Sequence, residues 1–506
     1  MGTDFGPGSL TDSGYPRVVK RWRRGTPLAE AEFVYEGLAG DVAVSAGYDR
    51  TPGYERHYLS RATDFFNEEV YLLESGDSRR LIEAPTDATV SWFRDWLLVR
   101  LKTAWEVNGI THPAGALLAA NFEEFLSGAR DFDVLFTPDP HTALHGYSWT
   151  EHHLLLATLR DVQTELHVLT PGPDGWTRAP LADAPSMSTT TVMNLDRLEG
   201  GDEFMLSTSS FTSPATLMSS SVGGAVEVLK QEPAFFDADG METEQFFARS
   251  DDGTEIPYFV IRHRDRRGTP GPTVMSGYGG FEVSRRPAYS GAAGMGWLER
   301  GGTYVMTNIR GGGEYGPEWH TSVLKANRHK AYEDFAAVAR DLVARGITTH
   351  DQLGAVGGSN GGLLMGVMLT RYPELFGAIV CQVPLLDMKR YHLLLAGASW
   401  IAEYGDPDKP EEWEYISKYS PYQNTSADRT YPPILLATST RDDRVHPGHA
   451  RKMAALLESE GHDVWYYENI EGGHGGAADN KQSAFQAALI YEFFLQQLMD
   501  GAAGGA

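Results

Sequence analysis

The run Val356-Gly357-Gly358-Ser359-Asn360-Gly361-Gly362-Leu363-Leu364 constrains this chain more than any other segment. A β-like stretch precedes it and an apolar helical pattern follows, so a serine sits between glycines where a strand turns sharply into a helix. Gly357 and Gly361 supply the G-x-S-x-G spacing, because such a turn strains the serine backbone and needs neighbours without Cβ atoms. Ser359 would project from the tip of the turn. The N-terminus of the following helix would point its free N–H groups at negative charge developing there, with the Asn360 N–H as the natural first donor. A glycine-rich turn with an incidental serine has the same spelling, so partners elsewhere must decide.

The elbow needs a sheet, and from about residue 240 strands and helices alternate. Phe246 to Ile261 reads as a hairpin turning at Asp252-Gly253. Strands are expected at Thr273 to Ser276, Thr303 to Asn308, Leu353 to Val356, Ala378 to Val383, Ile434 to Thr438 and Val464 to Tyr467. Helices are expected across Tyr332 to Ala344, after the elbow, across Gly448 to Glu458 and across Ser483 to Leu498. This alternation predicts a mainly parallel sheet covered on both faces, with the elbow at the end of a middle strand.

The first 235 or so residues obey a different grammar, with short β-type runs and almost no helical period. Runs open beside Asp41, Asp95, His152 and Asp202, which lie 54, 57 and 50 residues apart. A repeat of that length built from several short strands suggests β-propeller blades, and four can be counted; an irregular β-sandwich is the competing reading. The expected organisation is a partial β-propeller domain over 1–238, an α/β-hydrolase domain over 239–500 and a disordered tail over 501–506.

Composition narrows the function. A net charge of -25 on 506 residues argues against a nucleic-acid partner, whose phosphates attract Lys and Arg. No apolar stretch reaches the roughly 18 residues of a membrane span, and no signal peptide is visible at Met1. The single cysteine, Cys381, sits in an apolar run and reads as a buried strand residue, which fits a cytoplasmic protein.

An activated serine needs a base, and the base needs an orienting carboxylate, in the chain order Ser, Asp or Glu, His. The expected strand at Ile434 leads into Asp442-Asp443, and the strand at Val464 leads into Gly472-Gly473-His474-Gly475-Gly476. His474 between glycine pairs fits the base. Either aspartate could orient it, and the residues alone leave that choice open.

Three motifs in this order resemble the prolyl oligopeptidase family of serine peptidases over about residues 245 to 498. Gly277-Tyr278-Gly279-Gly280-Phe281, Asn308 to Gly316 with Trp319, the elbow, Asp442-Asp443-Arg444-Val445 with Pro447 and His449, and Gly473-His474-Gly475 carry the likeness. The resemblance implies Ser359 as nucleophile, His474 as base and Asp442 as its carboxylate. It further implies Tyr278 with the Asn360 N–H as oxyanion donors and Arg444 as a peptide-binding arginine. Trp400 would stack on a substrate proline, with Phe281, Tyr404 and Val445 as further pocket wall. The implied substrates are short peptides cleaved after proline, with no cofactor or metal; oligomeric state is not legible.

Family members usually carry a seven-bladed propeller behind an N-terminal segment. The sequence is therefore expected to lack that segment and about three blades, leaving open strand edges. An esterase or broader acyl-peptidase on the same triad, and a non-catalytic fragment, are the alternative functions. Gly311-Gly312-Gly313-Glu314-Tyr315-Gly316 matches G-x-G-x-x-G but follows hydrolase strands, so a structural loop beside the site is expected instead of a dinucleotide site. His446, His449, His152 and His153 lack metal-binding spacing and are expected in surface or supporting roles.

Overall fold

The computed structural model describes residues 1–74, 78–181, 185–199 and 201–500; the expected tail, 501–506, lies outside them. Among the described residues the first half holds four four-stranded antiparallel sheets, spanning 43–81, 89–136, 142–180 and 188–231. A short two-stranded ladder, Val18–Arg21 with Glu32–Glu36, precedes them. Leu97 and Val99 pack with Val70 and Leu72 of the first sheet, whereas Leu98 between them packs with Leu144 and Leu154 of the third. Leu155 and Ala157 in turn meet Phe204 and Leu206 of the fourth. Alternate residues of one strand thus face opposite neighbours, which is why these strands read as unbroken apolar runs.

Three of the polar residues that mark the repeat, Asp95, His152 and Asp202, join successive sheets, whereas Asp41 pairs with Arg61 of its own sheet. Asp95 accepts from the Tyr54 hydroxyl at 2.9 Å, and Asp202 accepts from the Thr150 hydroxyl and the His152 N–H at 2.8 and 2.9 Å. The expected phase of the repeat needs one correction. Asp41 precedes a first strand, Ala43–Asp49, but Trp96, Leu154 and Glu203 open second strands. Counted between first strands, at Ala43, Thr89, Thr142 and Ser188, the steps are 46, 53 and 46 residues. An extra hairpin, Trp105–Val107 with Ile110–His112, accompanies the longer step.

The second half is one eight-stranded sheet. Its strands are β1 (Met241–Arg249), β2 (Glu255–His263), β3 (Thr273–Ser276), β4 (Thr303–Thr307), β5 (Leu353–Gly358), β6 (Ala378–Gln382), β7 (Ile434–Ser439) and β8 (Val464–Asn469). Their order is β1-β2-β4-β3-β5-β6-β7-β8. The β1/β2 and β2/β4 pairs are antiparallel and all later pairs parallel. The hairpin turns where expected, with Gly253 at φ +89° and its N–H on Ser250 O at 2.9 Å.

Helices α1 (His329–Ala344), α2 (Asn360–Arg371), α3 (Gly448–Ser459) and α4 (Asn480–Leu495) cover the sheet. Tyr258, Val260 and Met275 face a core containing Phe335 of α1 and Leu364 of α2. Their strand neighbours Phe259, Ile261 and Val274 face the opposite core with Trp297 and with Phe493 and Phe494 of α4. Cys381 in β6 is fully buried, and burial pushes its thiol ionisation far up, so it is an inert core residue. Among the described residues no helix is long and apolar enough to cross a membrane.

Candidate active site

β5 ends at Gly358 and α2 begins at Asn360, leaving Ser359 at φ 58°, ψ −119°, a backbone conformation that costs energy for any residue with a Cβ. Close approach explains the flanking glycines. A Cβ on Gly357 would lie 2.4 Å from Gly361 O, one on Gly361 2.7 Å from Gly277 O, and one on Gly362 2.7 Å from Gln382 O. The turn is pinned to β6 by the Ser359 N–H on Gln382 O at 2.9 Å.

The loops after β7 and β8 bring the expected partners to this tip. His474 Nε2 lies 3.1 Å from Ser359 Oγ, and its Nδ1 lies 2.8 and 3.0 Å from Asp442 Oδ2 and Oδ1. The Asp442 side chain is completely buried, and its Oδ1 also accepts the N–H groups of Arg444 and Val445, each at 2.9 Å. Asp443 is exposed and makes none of these contacts. An ionised carboxylate only accepts, so the proton on His474 sits on Nδ1 and the Nε2 lone pair faces the serine hydroxyl.

Tyr278 follows β3 and lines the same cavity as Ser359; burial is the main cause that raises its ionisation, keeping it a donor. Asn360 is 1% exposed and begins α2 beside Ser359. Its side chain donates from Nδ2 to Tyr278 O at 2.7 Å and accepts on Oδ1 from Arg328 Nη2 at 2.6 Å and Tyr404 Oη at 2.7 Å.

Ser359, His474, Tyr278, Phe281, Trp400, Tyr404 and Arg444 line one cavity of about 350 Å³, with Val283 and Leu385. Val445, expected in its wall, is not among the lining residues. It is 2% exposed in the hydrophobic core and acts here through its backbone N–H on Asp442. Four lining residues gave no signal in the sequence: Val283 and Leu385, and Tyr15 and Phe65 from the first half of the chain. Phe65 stacks edge-on against Phe281, with ring centres 5.1 Å apart. A second cavity of about 420 Å³ shares Phe65 and Phe281 and carries Arg100, Lys102 and His145.

The glycine-rich loop is the structural element expected. Arg310 is buried and bonds Asp334 and Asp252, while a Cβ on Gly311, at φ +96°, would lie 2.3 Å from Gly279 O. The loop thus braces the segment carrying Tyr278 and Phe281. Of the declined histidines, His449 is buried with Nδ1 accepting from Leu386 and Asp387 N–H groups, and His446 Nδ1 accepts from Gly448 N. His152 bonds Asp202 and His153 bonds Thr170. His392, Asp406 and Asp408 do converge, but His392 already bonds Asp408 at 2.9 Å and the Lys389 ammonium stands 4.0 Å from that carboxylate.

Residues 289–501 match the prolyl oligopeptidase family. An uncharacterized peptidase of Sinorhizobium fredii is 41% identical over 98% of this chain and 70% of its own length. The chain belongs to the prolyl oligopeptidase family. It is accordingly a serine peptidase. A prolyl endopeptidase of Elizabethkingia miricola is 35% identical over 58% of this chain and 43% of its own length. The solved structure of a post-proline cleaving enzyme from Rickettsia typhi superposes with a TM-score of 0.92 at 33% identity, covering 98% of this chain and 73% of that one. The segment matched to the prolyl oligopeptidase family contains Ser359, Asp442 and His474.

Proposed function

We propose that this member of the family hydrolyses short peptides on the carboxyl side of proline through an acyl-enzyme. The observation that carries the reading is the single cavity in which Ser359 and His474 meet the rings of Trp400 and Phe281. A flat indole beside the nucleophile suits a compact proline ring, and a cavity of about 350 Å³ suits one or two residues of a peptide.

Ser359 Oγ attacks the carbonyl carbon of the proline while His474 Nε2 takes its proton. The carbonyl oxygen becomes an oxyanion held by the Asn360 N–H and the Tyr278 hydroxyl. Asp442 stabilises the imidazolium. His474 then gives the proton to the leaving amine, the C–N bond breaks, and water repeats the sequence to release the acid. Arg444 would hold a peptide carbonyl at the cavity mouth. Electrostatic preorganisation of this kind is typically worth about 3 to 4 kcal/mol per oxyanion donor.

In this reading residues 1–238 form the propeller part, with the four sheets as blades of an incomplete propeller, and residues 239–500 the hydrolase part. Phe65 and Tyr15 would close the proline pocket from the propeller side. Hydrolysis of matched chromogenic anilides, blocked glycyl-proline against blocked glycyl-alanine and a blocked arginine, tests the specificity. The proline substrate should lead by at least about tenfold, the smallest difference a lost ring-packing contact of about 1.4 kcal/mol gives. Equal rates, or turnover of small esters alone, would point to the broader acyl-hydrolase instead.

A further inference from the structure

Three charged or titratable side chains that the chemistry does not touch are buried behind the site in a continuous hydrogen-bonded chain. Glu403 is 0% exposed, Arg328 1% and His320 0%. Glu403 Oε2 is 2.7 Å from His320 Nε2, and its Oε1 accepts from Arg328 Nη1 at 2.6 Å and from the Phe281 N–H at 3.1 Å. The other arm of Arg328, Nη2, donates to Asn360 Oδ1, and Asn360 Nδ2 donates to Tyr278 O.

Burial would raise the Glu403 carboxyl, but His320 and Arg328 hold it below its usual range, so it is the anion that balances the Arg328 cation. The orientation of the Asn360 amide follows without ambiguity. Arg328 can only donate, so the atom facing it is the amide oxygen, and the amide nitrogen must face the Tyr278 carbonyl. The fork also requires a gap beside it: a Cβ on Gly280 would lie 2.6 Å from Asn360 Nδ2 and 2.9 Å from Arg328 Nη2.

We propose that His320, Glu403 and Arg328 are positioning residues that set the two oxyanion donors as a pair, through the Asn360 amide, and tie them to the pocket wall at Phe281. The proposal rests on the roles given above to Asn360 and Tyr278. Its physical basis is the planar guanidinium, which grips Glu403 with one nitrogen and Asn360 with the other. A lysine ammonium keeps the charge but cannot reproduce that rigid fork. Glu403 lies between Trp400 and Tyr404 in sequence, so the segment that supplies the pocket also supplies the anchor.

The deciding variants are Arg328→Lys and Glu403→Gln, read against wild type and Ser359→Ala with a blocked glycyl-proline anilide. The network predicts a kcat loss of about 10- to 100-fold, below the full loss of an oxyanion donor because the donors are displaced and not deleted. Affinity for a blocked glycyl-prolinal, whose hemiacetal oxygen occupies the oxyanion position, should fall by the same factor. KM should stay within about twofold, since the neutral carbonyl of the bound substrate does not carry the developing charge. Unchanged kcat in Arg328→Lys, a rise in KM at constant kcat, or unchanged aldehyde affinity would overturn the proposal. If Glu403→Gln does not fold, Arg328→Lys decides alone, because it keeps the buried charges balanced. A wild type no faster than Ser359→Ala would instead sink the underlying catalytic reading and this role with it.

Discussion

Replacing Asp442 by Asn should disable the site without disturbing its shape, and the hydrogen bonds show why. Asp442 Oδ1 is fixed by two backbone donors, Arg444 N and Val445 N, each at 2.9 Å. An asparagine must leave its oxygen there, 3.0 Å from His474 Nδ1 but already accepting two N–H bonds, which puts its NH2 group where the closer Oδ2 stands, 2.8 Å from that Nδ1. Two donors cannot face each other, so the imidazole proton moves from Nδ1 to Nε2. Nε2 then presents a hydrogen to Ser359 Oγ and can no longer accept one. The loss expected for a wrong tautomer is about 10⁴ in kcat, equal to about 5 kcal/mol of barrier. The assay is steady-state hydrolysis of a blocked glycyl-proline anilide, with thermal unfolding as a control for the fold. The exposed Asp443→Asn should stay within about twofold of wild type, the scale of an unengaged surface substitution. A loss below about tenfold in Asp442→Asn, or a larger loss in Asp443→Asn, would refute the tautomer argument.

Other perturbations reach different parts of the site. Tyr278→Phe removes one oxyanion donor and should cost about 10² to 10³ in kcat with little change in KM, measured on the same anilide. Trp400→Ala should slow proline substrates more than small esters, and equal losses would argue against ring stacking. Gly280→Ala, which intrudes on Asn360 Nδ2 and Arg328 Nη2, should lower kcat with little change in KM on the same anilide, and an unchanged kcat would contradict the positioning role. Glu314 is fully buried, and burial pushes its carboxyl up to about 7. Its neutral form is therefore favoured by folding, and the stability it lends is present below the unfolded carboxylate value and is lost as pH rises through about 7. Glu314→Gln, a mimic of the neutral acid, should thus raise the unfolding temperature relative to wild type at pH 8.5 but not at pH 5.5. An equal offset at both pH values would contradict the linkage.

How far the sequence could be read depended on whether a residue's role is local. The elbow was legible because Gly357 and Gly361 answer a steric demand within five residues of chain. The sheet was legible because β5, β6 and β7 are buried on both faces and bounded by turn residues. Asp442 and Asp443 could not be separated by residue pattern alone, since the choice is made by which carboxylate the turn at Arg444 and Val445 caps. Phe65 and Tyr15 gave no signal because their relation to Phe281 exists only once the two halves are apposed. Arg328, Glu403 and His320 look like ordinary surface charges in sequence, and only packing reveals that they pair with one another in the interior, leaving His320 Nδ1 and Arg328 Nε without partners among the described residues. Val445 went the other way: its place in a motif suggested the pocket, while its apolar side chain is taken up by the core.

Acylation of Ser359 at the tip of the elbow is the step on which every role assigned to its neighbours depends. Rapid mixing of the purified protein with a blocked glycyl-proline ester, acid quenching and peptide mass spectrometry measure this directly. The predicted result is an added glycyl-prolyl acyl group on the peptide containing Ser359, lost again on a timescale matching turnover and absent in Ser359→Ala. Steady turnover with no adduct on that peptide, or turnover that survives in Ser359→Ala, would contradict it.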